Sequence, residues 1–232
     1  MRICVFGASG PVGRSVVSQA LEAGHDVVAV TRQPDRWGAP APRLHVLGGD
    51  VLDLAQVTTA IRGADAVIST TGVNPTRRPV FTYSVGIRNM IQAMRGQNVQ
   101  RIVCVSSKQL DETGHQDEIL LYRLVFARLL SLVNRTIYED MRRMEDLLNS
   151  SDRDWTVIRP AGLFAADTIS GYRHSTEHQP GVFTSTADLA DALLSEAVRK
   201  SERGARVVQV LTDSKTPPYL LLLARQASMH RR

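Results

Sequence analysis

Residues 5–14 read VFGASGPVGR, an apolar run followed by glycines at 7, 10 and 13. Where such a triplet follows a strand and opens a helix, each glycine has its own task. Gly7 makes the tight turn, Gly10 lets the backbone approach a pyrophosphate, and Gly13 allows the helix to pack closely on the strand. Ser9, Pro11 and Val12 complete the loop, and the amides exposed at the helix start, at the positive end of its dipole, favour a phosphate. The spacing predicts a dinucleotide site. An unphosphorylated ribose is usually held by Asp or Glu about 20 residues after the glycines, whereas arginine there can pair with a 2′-phosphate. Here the second apolar run ends Val30, Thr31, Arg32, and Arg36 is near enough in sequence to assist. A planar guanidinium fork suits a phosphate, so NADP(H) is expected in preference to NAD(H).

Two later segments fit the same site. Asp50 and Val51, in GGDVLD, are placed to border an adenine, the carboxylate accepting from its amino group and the valine packing on the ring. Thr70, Thr71 and Gly72 end the fourth apolar run, where small residues let a cofactor lie close to the backbone. Either segment is equally compatible with plain turn chemistry. His174 and His178 are four apart, but their context is polar and glycine-rich and offers no acidic ligand pair, so no metal site is expected. They and His115 read as solvated loop residues, with His174 a minor candidate for proton donation because its loop should face the cofactor.

Short β-branched runs must position these groups: RICVFG (2–7), DVVAVT (26–31), LHVL (44–47), AVIST (66–70), RIVCVS (101–106), WTVIR (155–159) and RVVQVL (206–211). Between them lie segments with helical spacing, VGRSVVSQALEAG, DLAQVTTAIRG, YSVGIRNMIQAMRG, TIYEDMRRMEDLLNS and TADLADALLSEAVRK. Continuous apolar strands alternating with helices predict an α/β fold of the Rossmann type, a doubly wound, mostly parallel sheet with helices on both faces. The irregular stretches 71–80, 107–118 and 160–184 follow strands and so belong at the sheet's carboxyl edge, where such folds bind ligands.

A chain of 232 residues, 43% of them hydrophobic, is expected to form one domain over 1–232. Lys and Arg number 28 against 23 for Asp and Glu, a net charge of +5 spread thinly apart from the closing His230, Arg231, Arg232. A solvated surface accounts for this better than nucleic-acid binding. No secretory signal is recognisable at the start, so a cytoplasmic location is expected. Cys4 and Cys104 sit in apolar runs as small buried hydrophobes, with no disulfide expected. The apolar stretch ILLYRLVFARLLSLV (119–133) is shorter than the roughly 20 residues of a membrane span and is broken by Arg123 and Arg128. Membrane insertion is therefore not expected. Leu120, Leu124 and Leu132 would instead form a homodimer surface or roof a substrate pocket.

With these residues in view, the chain resembles the atypical short-chain dehydrogenase/reductase superfamily, in its NAD(P)-binding NmrA-like and biliverdin reductase B-like branch. The resemblance is carried by GASGPVG (7–13), TR (31–32), GDVLD (49–53), RIVCVSS (101–107), MEDLLNSSDRDWTVIRPAGL (144–163) and TSTADLADALL (184–194). It implies a Rossmann core and NADP binding. The reaction stays open, because the branch holds flavin and quinone reductases as well as redox sensors that bind the cofactor without turning it over. Better-known members protonate a carbonyl with the tyrosine of a Tyr-x-x-x-Lys helix, assisted by a serine after the fifth strand. Ser106 or Ser107 matches the serine and Tyr138 the tyrosine, but Arg142 stands where lysine would be.

Arginine supplies positive charge, yet its pKa is too high for the proton relay that lysine supports. Hydride delivery to a flavin, a quinone or a conjugated pyrrole leaves a delocalised anion that solvent can protonate, and this suits the sequence better than carbonyl reduction. On this reading Thr71, Ser106 and the stretch Pro160, Ala161, Gly162, Leu163 position the nicotinamide. The expected partner is a small, planar, hydrophobic substrate. Phe164, Tyr172, Phe183 and residues 73–83 would line its pocket or anchor loops in the core.

Overall fold

The computed structural model describes residues 1–111, 128–199 and 204–213. The first half contains β1 (Arg2–Phe6), α1 (Pro11–Glu22), β2 (Asp26–Thr31), β3 (Leu44–Gly48), α2 (Leu54–Ile61), β4 (Ala66–Ser69), α3 (Thr82–Gly96) and β5 (Arg101–Val105). The second contains α4 (Arg128–Asn149), β6 (Asp154–Pro160), β7 (Gly162–Phe164), β8 (Tyr172–Ser175), β9 (Phe183–Ser185), α5 (Thr186–Val198) and β10 (Arg206–Thr212). Short 3-10 turns occupy Pro34–Arg36 and Lys108–Leu110.

Eight strands form one sheet in the order β3-β2-β1-β4-β5-β6-β10-β8, parallel except where β8 runs antiparallel to β10. The order reverses at β1, which lies between β2 and β4, and opens a crevice at the carboxyl ends of those strands. Alternation along β1 divides the core. Cys4 and Phe6 face the layer of α2, α3 and α4, while Ile3 and Val5 face α1 and α5. Cys4 and Cys104 are both free and buried, on strands separated by β4, and burial pushes both thiols up in pKa.

The helix starts are fixed differently. Asp53 caps α2 through the amides of Ala55 and Gln56 at 2.9 and 3.1 Å, and the Ser185 hydroxyl caps α5 at Asp188. α3 is capped from another helix: the buried Asp140 of α4 accepts from the amides of Tyr83 (2.8 Å) and Ser84 (3.3 Å) and is paired with Arg143. α1 starts at Gly10 and Pro11 with no side-chain cap. Proline at this position loses no helical hydrogen bond.

Two expectations are corrected. Stretch 160–184 contains β7, β8 and β9; β7 and β9 make a separate two-stranded sheet, and β8 extends the main one. α4 also begins before TIYEDMRRMEDLLNS, because no Gly or Pro interrupts residues 128–149. His115, Leu120 and Leu124 fall outside the described residues, as does the side chain of Leu132, and with them the dimer or pocket-roof expectation. Among the described residues no helix is long and apolar enough to cross a membrane.

Candidate functional site

A cavity of about 640 Å³ lies over the crevice, walled by the glycine loop, the ends of β2 and β4, and Leu163 of β7. Gly7 has φ +75°, and a Cβ there would stand 2.7 Å from the carbonyl of Thr70. The Thr70 hydroxyl donates to the carbonyls of Phe6 (2.9 Å) and Gly7 (3.2 Å), locking β4 onto the turn. A Cβ on Gly13 would lie 2.3 Å from the Gly7 oxygen, so only glycine lets α1 pack here. Gly10 differs. Its Cβ would meet only the Gly7 oxygen, at 3.4 Å, and it stands on the cavity wall, where a side chain would occupy space that a ligand needs. Uncapped amides at the start of α1 and this open cradle fit a pyrophosphate.

Ser9, Pro11, Val12, Arg32, Asp50, Val51, Thr70, Thr71 and Gly72 all stand on the same wall. Arg32 is exposed at the end of β2, and no carboxylate ends that strand. Arg36 is exposed on the 3-10 turn and does not reach the wall. Arg14, which sequence reasoning passed over, lies 4.9 Å above the Trp37 ring and donates to the carbonyls of Ser9 and Trp37. Its signal was its position directly after Gly13. Asp50 turns one carboxylate oxygen back to the amide of Leu52 at 3.0 Å. Val51 is buried, and Asn89 of α3 donates to its carbonyl at 2.9 Å.

Residues 7–199 match a family model described as NAD(P)H-binding. The chain belongs to the NAD(P)H-binding family. It is 35% identical over 51% of its length to an uncharacterized protein of Mycobacterium tuberculosis, and spans only 13% of that protein. An anaerobillin reductase from Escherichia coli O157:H7 superposes with a TM-score of 0.73 at 22% identity, over 94% of this chain and all of that one (100%). A short-chain dehydrogenase/reductase from Veillonella parvula, in complex with NADP, gives 0.75 at 14% identity, over 94% of this chain and 99% of that one. Both solved structures share the fold.

In this NAD(P)H-binding protein the two serines after β5 have different partners. Ser106 is buried and donates to Glu145 at 2.6 Å; Glu145 is in turn held by Arg159 at 2.5 Å. Tyr138, seven residues before Glu145 on the same face of α4, is hydrogen-bonded instead by Ser107 and Asn134. Burial pushes the Tyr138 phenol up in pKa, and those two hydrogen bonds offset part of the rise. Of the two serines that the sequence leaves open, Ser107 is therefore the one beside Tyr138, while a carboxylate from α4 has captured the Ser106 hydroxyl. Asn134 is buried, with its Oδ1 unpaired among the described residues. Arg142 is exposed and makes no hydrogen bond or ion pair with the described residues.

Neither Ser106 nor Tyr138 nor Arg142 lines the cavity, and of the stretch after β6 only Leu163 does. Pro160 is buried at the end of β6, the Ala161 amide donates to Thr184, and the Gly162 amide donates to the Val182 carbonyl. This stretch seats β7 against β9. Phe164 packs edge-on against Phe183, with centroids 6.5 Å apart. Tyr172 packs on the core under α1 and α5 and donates to Asp191 at 2.6 Å. These contacts hold β7, β8 and β9 in place.

His174 lies 3.2 Å from Glu196, and His178 lies 3.2 Å from Asp111, so the two imidazoles serve different carboxylates. Lys108, not anticipated from the sequence, is buried, with its Nζ on the carbonyls of Gln179 (2.9 Å) and Gly181 (2.7 Å). It ties the turn after β5 to the segment leading into β9.

Proposed function

We propose that the protein is an NADPH-dependent reductase delivering hydride to a planar conjugated acceptor such as a flavin or a quinone. The observation that carries this reading is Arg142, exposed and without a partner among the described residues at the position where a relay lysine would sit. Carbonyl reduction creates an alkoxide needing a proton at once, whereas a conjugated acceptor spreads the charge until solvent protonates it.

In this reading the first-turn amides of α1 hold the pyrophosphate, and Arg32 engages the 2′-phosphate with Arg14 and Arg36 nearby. Asp50 and Val51 border the adenine. Thr71, Gly72 and Leu163 hold the nicotinamide against the sheet edge, and the bound NADPH supplies the hydride. Ser107 orients the Tyr138 phenol. Ser106, engaged with Glu145, braces α4. The Veillonella parvula structure with NADP and the anaerobillin reductase lend support by analogy.

A redox sensor of NmrA-like type is the second reading, favoured by the engagement of Ser106 with Glu145. Incubating the protein with NADPH and a panel of flavins, quinones and aldehydes, while following absorbance of the reduced cofactor, separates the two. Oxidation by flavins or quinones and not by aldehydes is expected. If no flavin or quinone is reduced, and NADP-loaded protein binds another protein, the sensor is the better account.

A further inference from the structure

Between Asp65 and Asp111 the chain carries six Lys or Arg residues and no carboxylate. Two of them, Arg77 and Arg78, are consecutive and exposed in the segment joining β4 to α3. Both ends of that segment stand on the cavity wall, at Gly72 to Asn74 and at Thr82. The segment is pinned along its length. The Tyr83 hydroxyl receives the Val73 amide at 3.3 Å, Thr136 donates to the Thr76 carbonyl at 3.2 Å, and Arg143 donates to the Val80 carbonyl at 3.0 Å. A tethered backbone therefore carries two exposed arginines between two stretches of the cavity wall.

Nothing in the described protein neutralises them. On α4, Asp140 is fully buried and engaged by Tyr83, Ser84 and Arg143, while Glu139 is paired with Arg135. Phe81 in the same segment is 56% exposed, with the Arg143 guanidinium 5.6 Å from its ring centroid. An exposed aromatic ring in the same segment as two arginines with no partner among the described residues suits a planar ring system with an anionic arm. The dinucleotide's own phosphates have other places, at α1 and at the end of β2.

We infer that the acceptor carries an anionic group, a phosphate or a carboxylate, that Arg77 and Arg78 engage at the cavity rim while its ring lies beside Phe81. This rests on the reductase reading and narrows its substrate class to charged conjugated acceptors.

Riboflavin and FMN share one ring system and differ by a phosphate, so titrating each into NADP-saturated protein and following flavin fluorescence isolates the arm. FMN is expected to bind at least about tenfold more tightly than riboflavin. Arg77→Ala/Arg78→Ala should bring the ratio of the two Kd values to about one, and Arg77→Lys/Arg78→Lys should keep most of it. A carboxymethyl flavin, with a carboxylate arm on the same ring, distinguishes a general anion site from a phosphate site. Equal binding of all three flavins by the wild type, or a ratio unchanged in the double alanine variant, overturns the inference. Arginine-dependent FMN binding with no NADPH oxidation supports the anion site and overturns the reductase reading, so the two fail separately.

Discussion

A Cβ on Gly13 would stand 2.3 Å from the carbonyl oxygen of Gly7, whereas one on Gly10 meets that same oxygen at an ordinary 3.4 Å. The two glycines therefore answer to different constraints, packing at Gly13 and ligand access at Gly10. Gly13→Ala should destabilise the fold by about 1–3 kcal/mol through overpacking. Gly10→Ala should unfold like the wild type while losing about tenfold in NADP affinity. Denaturant unfolding and calorimetric titration of both variants check this, and a reversed pattern would contradict it.

Arg32 directly follows β2, whose last residue, Thr31, is not a carboxylate, and stands on the cavity wall. Arg32→Ala should weaken NADP binding by about 10- to 100-fold, the worth of a charge-assisted phosphate contact, and leave NAD binding nearly unchanged. Equal affinity of the wild type for both cofactors in isothermal titration would refute the preference.

The serines of the Ser106–Ser107 pair should respond oppositely to mutation. Ser106→Ala removes a 2.6 Å hydrogen bond to a carboxylate and should cost about 1.5–3 kcal/mol of stability. Ser107→Ala removes a hydrogen bond that lowers the Tyr138 pKa, so the phenol should titrate higher. Thermal unfolding reads the first effect and a pH titration of tyrosine absorbance the second. A Ser106→Ala protein with wild-type stability would remove the bracing role.

Glu196 should shape acid denaturation. Burial pushes its carboxyl up, but hydrogen bonds from His174 and Arg206 outweigh this and carry it from 4.5 down to about 2, with Arg101 and Arg199 also paired to it. A depressed folded pKa stabilises fully above the unfolded value of 4.5 and ceases to do so as pH falls through about 2. The contribution is on the order of 3 kcal/mol. In denaturant titrations from neutral pH downward, the stability gap between wild type and Glu196→Gln should be widest near neutrality and close toward pH 2. A gap constant with pH would count against it.

Much of the fold was legible because parallel strands buried on both faces read as unbroken apolar runs; DVVAVT coincides with β2 to the residue. β7 and β9 have three residues each, too few for a period to register, and β8 reads YRHS, a half-exposed edge segment without an apolar face. The glycine loop was legible in the site because its constraints are local. The Ser106 partner was not, since Glu145 and Arg159 arrive from other segments and the alternation that would tell one serine face from the other stops where β5 ends at Val105. Lys108 was invisible for a similar reason. Its burial depends on carbonyls more than seventy residues away along the chain.

Two helices begin at the cavity wall, α1 beside Gly10 and α3 at Thr82. Asp140 already fills the amides of Tyr83 and Ser84, so the field at the start of α3 is answered from within the protein. Of these two helix starts, that of α1 is the one left without a side-chain acceptor. The two helix starts thus differ in what they offer an anion, and Asp140, buried and off the cavity wall, sets that difference.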